Sequence, residues 1–216
     1  MKYTYLLLDL DGTITDSMIG ITRSVQYALK HFGIEVKDLT QLCPFIGPPL
    51  KDSFKEFYHF TEEEADIAGL KYHEYFAEKG IFENTVYPGI ETFFRQQKNE
   101  GKTLLLATSK PEPLANQILD HFEIASYFDF IGGATFDDSR SAKNDVIRYV
   151  LESNDLTNRK KECIMIGDRR HDIEGARANG ISSAGVLYGY GNREELLKAG
   201  ADYIVNDLQE LQTILL

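Results

Sequence analysis

From Tyr87 onward short apolar runs alternate with amphipathic stretches, and this alternation restricts the fold more than any other feature of the chain. Residues 102–107, 128–131, 162–166, 183–187 and 203–205 read as strands. Residues 112–121, 143–151 and 172–179 read as helices, the last closed by Gly180. A further helix over about 88–97 is entered through Pro88, and helices follow the two final strands. Val146, Ile147 and Val150 form one helical stripe. Strand–helix alternation over this length predicts a parallel sheet covered on both faces.

One more apolar run, Leu6-Leu7-Leu8, opens the chain and leads into Asp9-Leu10-Asp11-Gly12-Thr13. Two carboxylates at spacing two can reach one site from a strand's end, and Gly12 lets the chain turn sharply behind them. Unpaired buried charge is costly, so a buried strand ending in two acids calls for positive charge between them. A divalent metal and a phosphate would meet that need. A calcium loop would not, because it requires glycine at its sixth position and an acid at its twelfth. Counted from Asp9, glycine is fourth here and Gly20 is twelfth.

The stretch from about Asp16 to Asn84 breaks the alternation. Ile19, Thr22, Val25, Leu29 and Phe32 recur at helical spacing. Leu50, Phe54, Phe57 and Tyr58 do likewise, as do Ala65, Ala68, Tyr72, Tyr75 and Phe76. The many Phe and Tyr here read as the bulky fillers of a small bundle rather than as an aromatic substrate box. The expected fold is therefore α/β. Residues 1–15 and 85–216 form a Rossmann-like parallel-sheet core, and 16–84 form an inserted small α-helical domain. Two short connections near 13–17 and 84–88 would permit hinge motion of that insert.

Within this frame, polar signals fall at strand ends and helix starts, where ligands of open parallel sheets bind. They are Asp9 and Asp11, then Thr108-Ser109, then Lys143, then Asp168 and Asp172. Each alone has a plain explanation: Thr108-Ser109 as a helix cap, Lys143 as a solvated lysine, Asp172 as a first-turn acid. Their arrival in order favours one shared site. The net charge of −11 argues against a nucleic-acid polymer or anionic lipid as partner. An acidic protein that handles phosphate needs local help from a metal, a lysine or helix N-termini. Two cysteines, Cys43 and Cys163, have no metal-type spacing and suit a reducing cytoplasm. Neither a signal-peptide pattern nor a membrane-length apolar run is expected. Gly189-x-Gly191 lacks the third glycine of a dinucleotide fingerprint and follows a late strand.

Asp9-Leu10-Asp11-Gly12-Thr13, the hydroxyl of Thr108, Lys143 and Gly167-Asp168-Arg169-Arg170-His171-Asp172 together resemble the haloacid dehalogenase-like hydrolase superfamily along the whole chain. The insert is similar to that family's α-helical cap. The stretches from Phe45-Ile46-Gly47 to Leu50 and from Gly185 to Gly191 resemble the phosphoglycolate phosphatase-like and 5′-nucleotidase-like branch. The resemblance implies Asp9 as nucleophile and Asp11 as general acid and base. It implies magnesium held by Asp9, the main-chain carbonyl of Asp11, and Asp168, with Asp172 as a direct or water-bridged ligand. Thr108, with Ser109 beside it, and Lys143 would bind the transferred phosphoryl group.

The implied activity is a phosphatase acting on a small phosphate monoester, with a phosphorylated metabolite as partner and a monomer or homodimer as assembly. A sugar-phosphate mutase of the β-phosphoglucomutase type stays open as an alternative, as does a non-catalytic binding protein of this fold. Asp11 speaks against the dehalogenase branch, and the intact set of acids speaks against a dead member. In the cap, the stretch Gly47-Pro48-Pro49-Leu50-Lys51 starts a helix whose first free donors, with Lys51, would read an anionic or polar substrate group. Arg23 is a second cap candidate.

Overall fold

The computed structural model describes residues 2–137 and 139–216. The chain divides into two compact units, Met1–Thr15 with Val86–Leu216, and Asp16–Thr85.

The first unit begins with β1 (Tyr5–Leu8), in which Leu6, Leu7 and Leu8 are buried. The chain leaves it through β2 (Thr15–Asp16) for the second unit's helices α1 (Met18–His31), α2 (Leu50–Tyr58) and α3 (Glu62–Tyr75). It returns through β3 (Thr85–Val86). Then follow α4 (Ile90–Asn99), β4 (Thr103–Pro111), α5 (Glu112–His121), β5 (Phe130–Ala134) and α6 (Lys143–Ser153). The chain closes with β6 (Cys163–Gly167), α7 (Arg170–Asn179), β7 (Ser182–Val186), α8 (Arg193–Ala199), β8 (Tyr203–Val205) and α9 (Leu208–Leu215).

Six strands form one sheet in the order β5-β4-β1-β6-β7-β8, with every neighbouring pair parallel. In β1, Leu8 stands between Leu106 of β4 and Ile166 of β6. Strand order reverses at β1, since later strands add first on one side and then on the other. Such a switch opens a crevice at the carboxyl ends of the central strands. Leu7, Leu105, Val146, Ile147, Val150 and Met165 pack into one buried cluster, so α6 covers one face of the sheet with the stripe expected of it.

β4 differs from the strand anticipated over 102–107. It runs on to Pro111, and its register against β5 shifts between Ala107–Gly132 and Pro111–Ala134. Two extra residues of β4 are accommodated there, as in a β-bulge. Thr108, Ser109 and Lys110 consequently lie within the strand rather than in a loop after it.

In the second unit, Thr22, Val25 and Leu29 of α1, Phe54 of α2 and Ala65, Ala68 and Tyr72 of α3 face inward. Phe45 and Phe54 meet edge to face at 5.0 Å between centroids. Ile19 and Phe57, assigned to the same stripes by spacing, are exposed at the margins of their helices. A capping box from Thr61 and Glu64 starts α3. Among the described residues no helix is long and apolar enough to cross a membrane.

Candidate active site

Asp9 follows the last residue of the central strand. Its N–H donates to the Ile166 carbonyl at 2.9 Å, which fixes its backbone beside β6. Its Oδ1 accepts from the Leu10 N–H at 2.8 Å and faces the Lys143 ammonium at 2.7 Å. Both ties fall on Oδ1, so among the described residues Oδ2 is the oxygen left for chemistry.

Lys143 is the first residue of α6 and is only 5 % exposed. Its ammonium meets three acceptors: the Ala107 carbonyl at 3.1 Å, Asp9 Oδ1 at 2.7 Å and Asp172 Oδ1 at 2.9 Å. One carbonyl hydrogen bond and two ion pairs surround the ammonium, which is how a buried lysine remains tolerable. Burial alone would lower its pKa, but the charges of Asp172 and Asp9 outweigh that and hold it above the ordinary lysine value.

Asp168 lies one residue past β6 and is wholly buried. The Tyr190 N–H donates to its Oδ2 at 2.8 Å, and the Thr13 hydroxyl to its Oδ1 at 3.4 Å. Asp172 sits in the first turn of α7, where its Oδ2 accepts from the Arg169 N–H at 3.0 Å and the helix dipole favours an acid. One carboxylate oxygen each from Asp9, Asp168 and Asp172 lie within 4.8 Å of one another. Three buried carboxylates therefore cluster together while the ammonium pairs with only two of them, and the excess negative charge has little solvent to dilute it. Burial, with Asp172 and Asp9 adding repulsion, pushes the Asp168 carboxyl well above the usual range. An all-oxygen set with surplus negative charge fits a hard divalent cation such as magnesium.

Asp11 turns away from that cluster. Its Oδ2 meets the Lys110 ammonium at 3.0 Å, and its buried Oδ1 has no hydrogen-bond partner among the described residues. The turn that aims it depends on Gly12, whose φ of +82° belongs to the left-handed region. A side chain on Gly12 would also overlap the Asp168 carboxylate.

Burial also gives the site a pH signature. Desolvation raises the Asp9 carboxyl to about 6; Lys143 opposes the shift, while Asp172 and Asp11 reinforce it. A raised native pKa means that the folded state binds the proton more tightly. Its contribution to stability is then complete below about pH 4 and lost as pH rises through about 6. With EDTA present, the wild-type protein is expected to lose on the order of 3 kcal/mol relative to Asp9→Asn between pH 4 and pH 7. Calorimetric melting of both proteins across that range checks it, and parallel curves would refute it.

The haloacid dehalogenase-like hydrolase family model matches residues 6–186. The chain belongs to that family. A 5′-nucleotidase of Pseudomonas aeruginosa is 42 % identical over 215 residues, covering 100 % of this chain and 96 % of the relative. The tyrosine-protein kinase PtkA of Mycobacterium tuberculosis is 34 % identical over 201 residues, covering 93 % of this chain and 68 % of the kinase. A crystal structure described as a predicted phosphatase from Clostridium acetobutylicum superposes with a TM-score of 0.96 at 51 % identity, covering 100 % of this chain and 99 % of that one.

Among the residues singled out from sequence in this haloacid dehalogenase-like hydrolase, Asp9, Lys143, Asp168 and Asp172 form one hydrogen-bonded and charged group. Thr108 is 1 % exposed, and its hydroxyl accepts from the Lys110 N–H at 3.2 Å. Ser109 is half-buried. Thr108 and Lys110 on either side of it are buried. Lys110 is the residue that sequence reasoning missed. Its signal was the period-two spacing from Thr108, hidden because the strand was ended too early.

The cap candidates have partners inside their own unit. Lys51 pairs with Glu62 at 2.7 Å and Asp66 at 2.6 Å, and these bonds hold its pKa above the ordinary lysine value. Arg23 pairs with Glu83. Both charges therefore have acidic partners within the bundle. Gly47 takes a left-handed φ of +103° and is half-buried.

Proposed function

We propose that this haloacid dehalogenase-like phosphatase is magnesium-dependent and hydrolyses a small phosphate monoester through an aspartyl-phosphate on Asp9. The class of substrate proposed is phosphoglycolate or a nucleoside 5′-monophosphate, met by a chain acting as monomer or homodimer. The observation that carries the reading is the Asp9 Oδ2, without a partner among the described residues, in a buried acidic cluster, with Oδ1 held by Lys143 and the Leu10 N–H.

In the first half-reaction Asp9 Oδ2 bonds to phosphorus as the ester P–O bond breaks. A proton from the Asp11 carboxyl goes to the leaving oxygen, which gives an alcohol. In the second, water attacks the phosphoryl group on Asp9 while the Asp11 carboxylate takes the water's proton, releasing inorganic phosphate and restoring Asp9. Lys143 and the Thr108 hydroxyl bind phosphoryl oxygens as charge redistributes over them. Asp9, Asp168, Asp172 and the Asp11 carbonyl would hold magnesium, which supplies neutralising charge to the phosphoryl oxygens when bound.

Phosphate release from a panel of phosphoglycolate, nucleoside 5′-monophosphates, sugar phosphates and pyrophosphate, with magnesium or with EDTA, tests this. Turnover of at least one ester that drops by about a hundredfold or more in EDTA is expected. Release from none of them by folded protein would overturn the hydrolase reading and point to phosphoryl transfer onto another acceptor. Release indifferent to EDTA would overturn the metal assignment alone.

A further inference from the structure

The loop at 188–191, Tyr-Gly-Tyr-Gly, has no role in the chemistry above, yet it touches both acidic segments. The Tyr188 hydroxyl donates to the Thr13 carbonyl at 3.0 Å, just beyond the Asp11–Gly12 turn. The Tyr188 ring is held edge to face against Tyr87 at 5.2 Å between centroids. Two residues on, the Tyr190 N–H donates to Asp168 Oδ2. The glycines between and after the tyrosines allow this closeness. A Cβ on Gly189 would overlap the Gly12 carbonyl oxygen and Asp168 Cβ, and one on Gly191 would overlap the Asp168 carbonyl oxygen.

We propose that the 188–191 loop is a positioning clamp that sets the cation affinity of the site. It acts by fixing the Asp168 carboxylate through the Tyr190 N–H and the Asp11–Thr13 turn through the Tyr188 hydroxyl. The clamp rests on the reading of the acidic cluster as a divalent-cation site. The physical case is one of preorganisation. Asp168 is wholly buried beside Asp9 and Asp172, so without fixed donors its carboxylate would be free to rotate rather than face a cation. Groups that orient ligating carboxylates typically carry about 10–100-fold of metal affinity.

The test is titration of Mn2+ into the full chain, read as the free-ion EPR signal, for wild type, Tyr188→Phe and Gly189→Ala. Tyr188→Phe keeps the ring packed on Tyr87 and deletes one hydroxyl. Its Mn2+ Kd is expected to rise about tenfold, with the ester KM at saturating metal unchanged. Gly189→Ala, which drives a methyl into Asp168, is expected to lose more. A merely structural role would move Tm and KM together and leave no selective effect on metal. A wild-type Kd in Tyr188→Phe overturns the clamp even if Gly189→Ala fails to fold. No Mn2+ binding by the wild-type protein overturns the cation site and the clamp with it, whereas binding with no difference among folded variants overturns the clamp alone.

Discussion

Asp9→Asn abolishes turnover in the expected outcome, by roughly 10⁴-fold or more, while the protein stays folded and at pH 7 in EDTA becomes harder to melt. The two halves of that result share one cause. An amide oxygen is a poor nucleophile, so no covalent intermediate forms. An amide also carries no charge, so the desolvation and repulsion that lift the Asp9 carboxyl disappear. The substitution preserves size and the acceptor for the Leu10 N–H. Steady-state phosphate release and a thermal melt on the same preparation read both effects. Residual turnover above about a hundredth of wild type would mean that the nucleophile is some other group.

Lys143→Met should fail in the opposite manner, losing fold before chemistry. Methionine fills nearly the same volume but leaves Asp9, Asp172 and the Ala107 carbonyl without their shared donor. Removing one partner of a buried ion pair costs about 3–5 kcal/mol, because the remaining charge has no compensation. At about 2–4 °C per kcal/mol for a chain of this size, Tm at pH 7 in EDTA should fall by roughly 10 °C. Phosphate release should drop by about 10²–10³-fold even where the variant remains folded, since phosphoryl charge loses a buried cation. Acidification should recover part of the stability as the stranded carboxylates take up protons. A melt within a degree or two of wild type would show that the acids are paired some other way.

The two effects distinguish what a sequence can and cannot disclose here. Alternating apolar runs and helical stripes are local properties, so the parallel sheet and the surrounding helices were legible residue by residue. The acids at strand ends were legible because buried charge is rare enough to need a reason. Lys110 was not, since the register shift that keeps β4 extended past Ala107 depends on β5, a partner more than twenty residues away. The short helix Leu39–Phe45 escaped for a related reason: it carries Pro44, and its buried Leu42 and Phe45 follow the three-residue repeat of a 3₁₀ helix rather than the roughly 3.6-residue period of an α-helix. Lys51 and Arg23 were judged by their charge, but which acids a folded bundle places beside them is decided by tertiary packing. The loop at 188–191 was visible as a glycine pattern, and only the closeness of Asp168 and Gly12 gives those glycines a purpose.

β1 is bonded along its length to β4 on one side and β6 on the other. Partial opening of a protein begins at frayed ends and exposed edges and reaches the doubly bordered strands last. Asp9 hangs directly from such a strand, with its own N–H bonded across to Ile166. The attacking oxygen is therefore mounted on the region with the least freedom to breathe. Warming should exhaust the looser parts of the molecule before it blurs the aim of the nucleophile.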